Sequence, residues 1–178
     1  MQRDLDRGVL ESGISQLTWS ERNRTSTINI LIIKLGATGD VVRTTPLLRR
    51  LSGHITWLTE AKNCLLLEGL NNDLQCISWE ERQRPPDIKY DLIINPEDSR
   101  EVGIYLNTLK FKQLFGAYVD PENNLRYTGD SRRWFDLSLI SSYGRERADR
   151  LKFQNRYTYQ ELIFDSLDLH DRWRFDAV

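Results

Sequence analysis

An α/β fold, with a parallel sheet and helices flanking it, is what the sequence predicts, and three observations predict it. The run INILIIKL (28–35) is β-branched, apolar and closed by Gly36, the pattern of a strand buried on both faces. Further short apolar runs alternate with stretches of helical spacing, the order that right-handed βαβ units require. The loop after the first run carries two glycines, Gly36 and Gly39, where a strand would hand over to a helix. The expected architecture is therefore Rossmann-like.

The elements follow in order. After the first strand, Val42, Thr45, Leu48 and Leu51 recur at helical spacing. Pro46 lacks a helical N–H, so this helix either kinks there or properly begins after Thr45. HITWLTE (54–60) alternates Ile55, Trp57 and Thr59 and predicts a second strand. Leu65–Leu70 predicts a helix, LQCISW (74–79) a third strand and YDLIIN (90–95) a fourth. Asp98 is placed to cap a helix across 99–109, and residues 111–118 predict a further short strand. From 131 to 169 the texture turns helical. There Thr158 and Glu161 have the T-x-x-E spacing of a capping box, opening a helix that would turn Leu162, Ile163 and Leu167 inward. Residues 1–27 are polar and read as an extension, 28–169 as the domain, and 170–178 as an irregular tail.

Composition narrows the class. The chain has 178 residues, enough for one domain, with 39% apolar and 29% charged residues and a net charge of −1. No chain-wide basic field exists to attract nucleic acid or anionic lipid. Cys64 and Cys76 form no CxxC pair or Cys/His cluster, so they suggest neither a zinc site nor a disulfide framework. They read as buried free thiols in a reducing compartment. Arg3 and Arg7 are followed by acids and no apolar core, which is not a secretory signal. The longest apolar runs, Ile30–Ile33 and Cys64–Leu67, are four residues, against about 20 for a membrane span. A cytoplasmic protein is expected.

The chemistry is concentrated in ILIIKLGATGDVVRTTPLLRRL (30–51). A buried strand, a glycine-containing turn and a helix N-terminus would aim unpaired N–H groups outward, which suits an anion. Gly36 and Gly39 would allow positive φ and close backbone approach. A P-loop is excluded, because no lysine follows Gly39 in the required register. A dinucleotide loop matches Gly36-Ala37-Thr38-Gly39 but has Val42 at the third glycine, and only an isolated acid, Glu60, for the ribose. Asp40 is the odd member, since a carboxylate competes with an anionic ligand for the same donors. By residue type alone, Asp40 reads as a helix cap.

The same run resembles the N-terminal signature of glycosyltransferase family 9, the lipopolysaccharide heptosyltransferases. The matching elements are Lys34, the loop Gly36–Thr38, Gly39-Asp40-Val41, Thr44 or Thr45, and Pro46. The similarity continues through HITWLTEAKNCLLLE (54–68) and KYDLIINPEDSRE (89–101), and covers roughly residues 28–118. Asn95 and Glu97 depart from it, standing for the family's Asp and Gln.

The resemblance implies the N-terminal, acceptor-side half of a GT-B glycosyltransferase, with the C-terminal donor-binding domain missing from this chain. Asp40 would be the general base for inverting transfer of a sugar to a lipopolysaccharide-core-type, lipid-linked acceptor. The donor would be a nucleotide sugar such as ADP-heptose, with no metal or other cofactor. Lys34 and Arg43 would hold acceptor phosphates, and Gly36, Thr38, Gly39, Ser99 and Arg100 would line the substrate. Peripheral contact with the inner membrane is implied, and nucleic acid is not a partner. Two other readings stay open: a non-catalytic sugar- or partner-binding module, and an NAD(P)-binding, oxidoreductase-like domain. The basic stretch Arg132, Arg133, Arg145, Arg147 and Arg150 with Trp134 reads as a solvated face, because Asp130, Asp136, Glu146 and Asp149 interleave.

Overall fold

The structure is a computed structural model that describes residues 28–83, 88–136 and 144–167. The expected extension (1–27) and the tail (170–178) lie outside the described residues. Six strands form one sheet: β1 (Asn29–Ile33), β2 (His54–Thr59), β3 (Leu74–Ser78), β4 (Lys89–Asn95), β5 (Lys110–Val119) and β6 (Leu125–Tyr127). Their order is β3-β2-β1-β4-β5-β6. The first five run parallel, and β6 returns antiparallel against β5. The order 3-2-1-4-5 is that of a doubly wound sheet, compatible with the Rossmann-like expectation, and the chain reverses direction of travel between β1 and β4. The antiparallel β6 was not anticipated, since three residues are too few to show a period.

Helices cover both faces. They are α1 (Thr38–Thr44), α2 (Ala61–Cys64), α3 (Arg100–Leu106), α4 (Arg132–Asp136), α5 (Arg145–Gln154) and α6 (Tyr159–Ser166), with a 3₁₀ turn at Thr45–Arg49. Alternate residues of β1 divide between two cores. Ile30 and Ile32 join Trp57, Phe115, Val41, Leu47, Trp134 and Leu162 on the face of α1, α4 and α6. Leu31 and Ile33 join Leu58, Ile93, Val102 and Leu106 on the face of α3. A central parallel strand must be apolar on both sides, and INILIIKL is.

Several local expectations shift. The buried positions after β1 are Val41, Thr44, Leu47, Leu48 and Leu51, while Val42 is 49% exposed. Pro46 explains the change of phase: α1 stops at Thr44 and a tighter turn with proline at its start takes over. Residues 65–70 are turn rather than helix, with Leu65, Leu66 and Leu70 exposed. The helix there lies earlier, at Ala61–Cys64. Ser99, not Asp98, caps α3. The capping box forms as expected, with Thr158 N–H donating to Glu161 at 2.6 Å and Glu161 N–H to the Thr158 hydroxyl at 3.2 Å. Hydrogen bonding to the carboxylate from the Thr158 backbone, and then from its side chain, holds the Glu161 carboxyl below its ordinary range.

Gly116 fixes the β4–β5 pairing. Its φ is +127°, and a Cβ there would stand 1.9 Å from the Asn95 carbonyl oxygen. Every other residue is excluded.

Cys64 and Cys76 correct the thiol expectation. They are joined as a disulfide, with Cα atoms 5.9 Å apart, tying the end of α2 to edge strand β3. Sequence spacing hid this, because the pairing comes from the parallel register of β3 on β2 rather than from a motif. The argument for a reducing compartment is removed, since disulfides persist in oxidising ones. Among the described residues, no helix is long and apolar enough to cross a membrane.

The bridge closes a ring over a sequence separation of 12. Cys76→Ser should therefore lower unfolding free energy by about 3 kcal/mol in oxidising buffer, measured by urea titration. Adding a dithiol should bring the parent down to the variant and leave the variant unchanged.

Candidate functional site at the β1–β4 crevice

Ligands of open α/β sheets gather at the carboxyl ends of the strands where the order reverses. Here that place lies between the ends of β1 and β4, and it holds a cleft of about 510 Å³. Lys34 comes from the end of β1, Asp40 and Arg43 from α1, and Pro96, Glu97 and Asp98 from the turn after β4. Trp134 of α4, Lys152 of α5, Asn155, Tyr157, and Tyr159 and Leu162 of α6 complete the wall. A slightly larger hollow, about 530 Å³, lies at the other end of the sheet among Arg82, Tyr90, Glu101, Tyr105 and Lys110. Its charged pair, Arg82 with Glu101 at 3.3 Å, sits on the rim, away from the switch point. The crevice is the better candidate.

Lys34 is 7% exposed, and its ammonium donates to Glu97 Oε1 at 2.7 Å. The same oxygen accepts from Leu35 N–H at 2.8 Å. Glu97 is thus bound to the end of β1 by two charge-assisted contacts. Its approach is shaped by Asn95, which is fully buried. The Asn95 amide donates to the Ala117 carbonyl at 2.7 Å, and its oxygen accepts from Glu97 N–H at 3.2 Å. An Asp could do only the second, so the asparagine belongs with this turn.

Asp40 stands in the first turn of α1, but Ala37 is the N-cap and makes no side-chain cap bond. The cap reading of Asp40 therefore fails. Its side chain is 42% exposed, faces the cleft, and accepts from Arg43 at 3.4 Å. Arg43 in turn lies over the ring of Tyr159, 4.2 Å from its centroid. Tyr159 shares a hydrogen bond of 2.9 Å with the Thr44 hydroxyl and meets Trp134 edge-on at 4.2 Å. Burial pushes the Tyr159 phenol up to about 12; Thr44 pulls it back, and the Asp40 carboxylate adds to the rise.

The other expected residues divide. Thr38 is turned to the loop's support: its hydroxyl donates to Asn63 Oδ1 at 2.9 Å, and Asn63 donates to the Leu35 carbonyl at 2.8 Å. Gly36 and Gly39 do not have positive φ, contrary to expectation. Gly36 instead lacks a side chain where one would come within 3.0 Å of the Glu60 carboxylate, and nothing lies within 4 Å of Gly39's missing Cβ. Val42 points outward, so its size has no bearing on how closely α1 meets the sheet. Ser99 is occupied in capping α3, accepting from Val102 N–H at 3.5 Å. Arg100 is exposed and outside the cleft lining. In place of these two, Asp98 faces the cleft and accepts from the Tyr127 hydroxyl at 2.6 Å. The basic stretch is solvated where described: Arg132, Arg145, Arg147 and Arg150 are exposed, whereas Trp134 is buried.

No family model, curated protein or solved structure matches the chain. Its chemistry must come from the cleft itself. The cleft offers a hydrogen-bonding carboxylate on a short rigid helix, a second carboxylate fixed by a buried lysine, and an aromatic wall. Sequence reasoning missed that wall. Tyr159 directly follows the cap Thr158, which placed its helix, but nothing local showed that its ring would meet Arg43, 116 positions earlier by residue number.

Tyr159 supplies a pH prediction. Its neutral form is favoured in the fold, so that stabilisation is whole below the ordinary value of 10.0 and is lost as pH rises toward about 12. Alkaline titration followed by circular dichroism and phenolate absorbance should show unfolding through that window. Tyr159→Phe should reduce this loss while costing about 1 kcal/mol at neutral pH for the Thr44 hydrogen bond. The contribution of Tyr105, whose phenol burial also raises to about 12, should remain.

Proposed function

We propose that the crevice is the acceptor side of a sugar transferase, and that Asp40 is its general base. One observation carries the reading: a carboxylate in the first turn of α1, free of capping duty, faces the switch-point cleft. The resemblance to glycosyltransferase family 9 assigns the same residue this role and makes the domain equivalent to the N-terminal half of a GT-B enzyme. In the reaction, an acceptor hydroxyl attacks the anomeric carbon of a nucleotide sugar, ADP-heptose in the family's pattern. The bond to the nucleoside diphosphate breaks, the configuration inverts, and the hydroxyl proton passes to Asp40. Arg43 aims the carboxylate, and Tyr159 holds Arg43. The donor is presented by a second, donor-binding unit that faces the same crevice.

A dinucleotide site is the second reading, and Glu60 favours it. Its carboxylate stands at the end of β2 beside Gly36, the place from which an acid holds a cofactor ribose. Lys62 pairs with it at 2.6 Å. Against it, Asp40 lies where a pyrophosphate would need donors.

The test is transfer from ADP-heptose to a lipopolysaccharide-core oligosaccharide without phosphate or carboxylate groups, using the full chain and a separately supplied heptosyltransferase donor-binding half. Asp40→Asn should lower turnover by about 10²- to 10⁴-fold with the circular dichroism spectrum unchanged. Equal rates in the parent and Asp40→Asn would remove the base. In a parallel titration, NADH should leave the intrinsic fluorescence unmoved; saturable binding that Glu60→Gln abolishes would transfer the assignment to the dinucleotide reading.

A further inference from the structure

The charges lining the crevice balance in number, and two of its three cations are paired with carboxylates of the same lining. It presents three cations, Lys34, Arg43 and Lys152, and three carboxylates, Asp40, Glu97 and Asp98. Lys34 is committed to Glu97 at 2.7 Å, with both side chains largely covered. Arg43 is committed to Asp40 and to the face of Tyr159. Lys152 lies 3.9 Å from Asp149 on its own helix. The two bases expected to hold phosphate are therefore already answered by protein carboxylates, and an entering anion would also meet Asp98 in the same lining.

We infer, resting on the saccharide reading above, that this crevice selects an uncharged saccharide acceptor and discriminates against phosphorylated or carboxylated ones. Carboxylates accept from sugar hydroxyls without the cleft needing a net charge, and Asn155, bonded through both ends of its amide to the Tyr157 backbone, holds that wall in place. The exposed ring of Tyr157 gives the apolar side on which the C–H face of a pyranose packs, in a wall that Trp134 and Tyr159 complete. Glu97 is the specificity-determining residue. A glutamine there would keep the contact with Leu35 N–H and leave the Lys34 charge unanswered inside the cleft.

The experiment compares the parent chain, Glu97→Gln, and the double variant Lys34→Met/Glu97→Gln on an array of uncharged oligosaccharides and their phosphorylated counterparts. Titration with inorganic phosphate reads the same charge balance without any sugar. The parent should hold uncharged saccharides at least about tenfold more tightly than phosphorylated ones, with little dependence on salt. Glu97→Gln should reverse that ratio and bind inorganic phosphate in a salt-sensitive way. The double variant, with no released cation, should return to the parent's preference. Asp40→Asn frees the exposed Arg43 instead, and should gain phosphate affinity even if Glu97→Gln fails to fold. A parent that prefers phosphorylated saccharides, or folded single variants that gain no phosphate affinity, would overturn the inference while leaving the Asp40 reading intact. Transfer independent of Asp40, with the charge preference as expected, would sink that reading and leave this one.

Discussion

A lysine at the end of a central parallel strand has nowhere to put its charge unless the neighbouring strand answers it. Lys34 ends β1 with its stem covered by protein, and Glu97, two residues beyond β4, supplies the partner. Removing either half would leave a nearly buried ion, which costs several kcal/mol where an exposed pair would contribute about one or less. The ion pair therefore fixes how the two β–α corners face each other across the switch point. Asn95 and Gly116 serve the same geometry from below: one turns the chain toward Lys34, and the other lets β5 pass close to that turn.

The crevice is composite in chain terms. Its floor comes from Lys34, Asp40 and Arg43 with residues 96–98, and its wall from Trp134 and residues of 152–162. The wall is tied to the floor by the contacts of Tyr159 with Arg43 and Thr44, and by Gln160 donating to the Arg43 carbonyl at 3.5 Å. Leu162 and Ile163 sink into the core beside Val41 and Leu47, so α6 packs as part of the domain rather than as an appendage. Because Tyr159 is the first residue of α6, the Thr158–Glu161 capping box sets where that ring emerges. A local helix-start signal thus has a consequence at the candidate site.

Much of the sheet was legible in the sequence because a parallel strand is written in consecutive residues. INILIIKL, HITWLTE, LQCISW and YDLIIN each became a strand. HITWLTE misled only in suggesting alternation, since five of its six strand positions are buried. The helix phase after β1 was misread because the spacing of Val42, Leu48 and Leu51 ignores the change of pitch at Pro46. Of the candidate site, Lys34, Asp40 and Arg43 converge on the cleft. Ser99 and Arg100 do not, because position 99 is taken by helix capping and position 100 faces solvent. Glu97, Asp98 and Tyr159 had no local signature: their roles depend on partners 29 to 116 positions away by residue number, which periodicity cannot report. The disulfide escaped for the same reason.

That bridge and the crevice are connected through one side chain. Cys64 follows Asn63, which is fully buried and holds the Leu35 carbonyl and the Thr38 hydroxyl at the two ends of the β1–α1 loop. Asn63 sits on a helix of four residues, too short to be stable by its own hydrogen bonds. The neighbouring cross-link to β3 and the burial of Leu67 are what hold that segment against the sheet. The loop that presents Asp40 is thus braced from two sides. The Lys34–Glu97 pair acts at the β4 side, and the Asn63 clamp, anchored by Cys64–Cys76, at the β2 side. This double bracing fixes the position of the Asp40 carboxylate over the crevice.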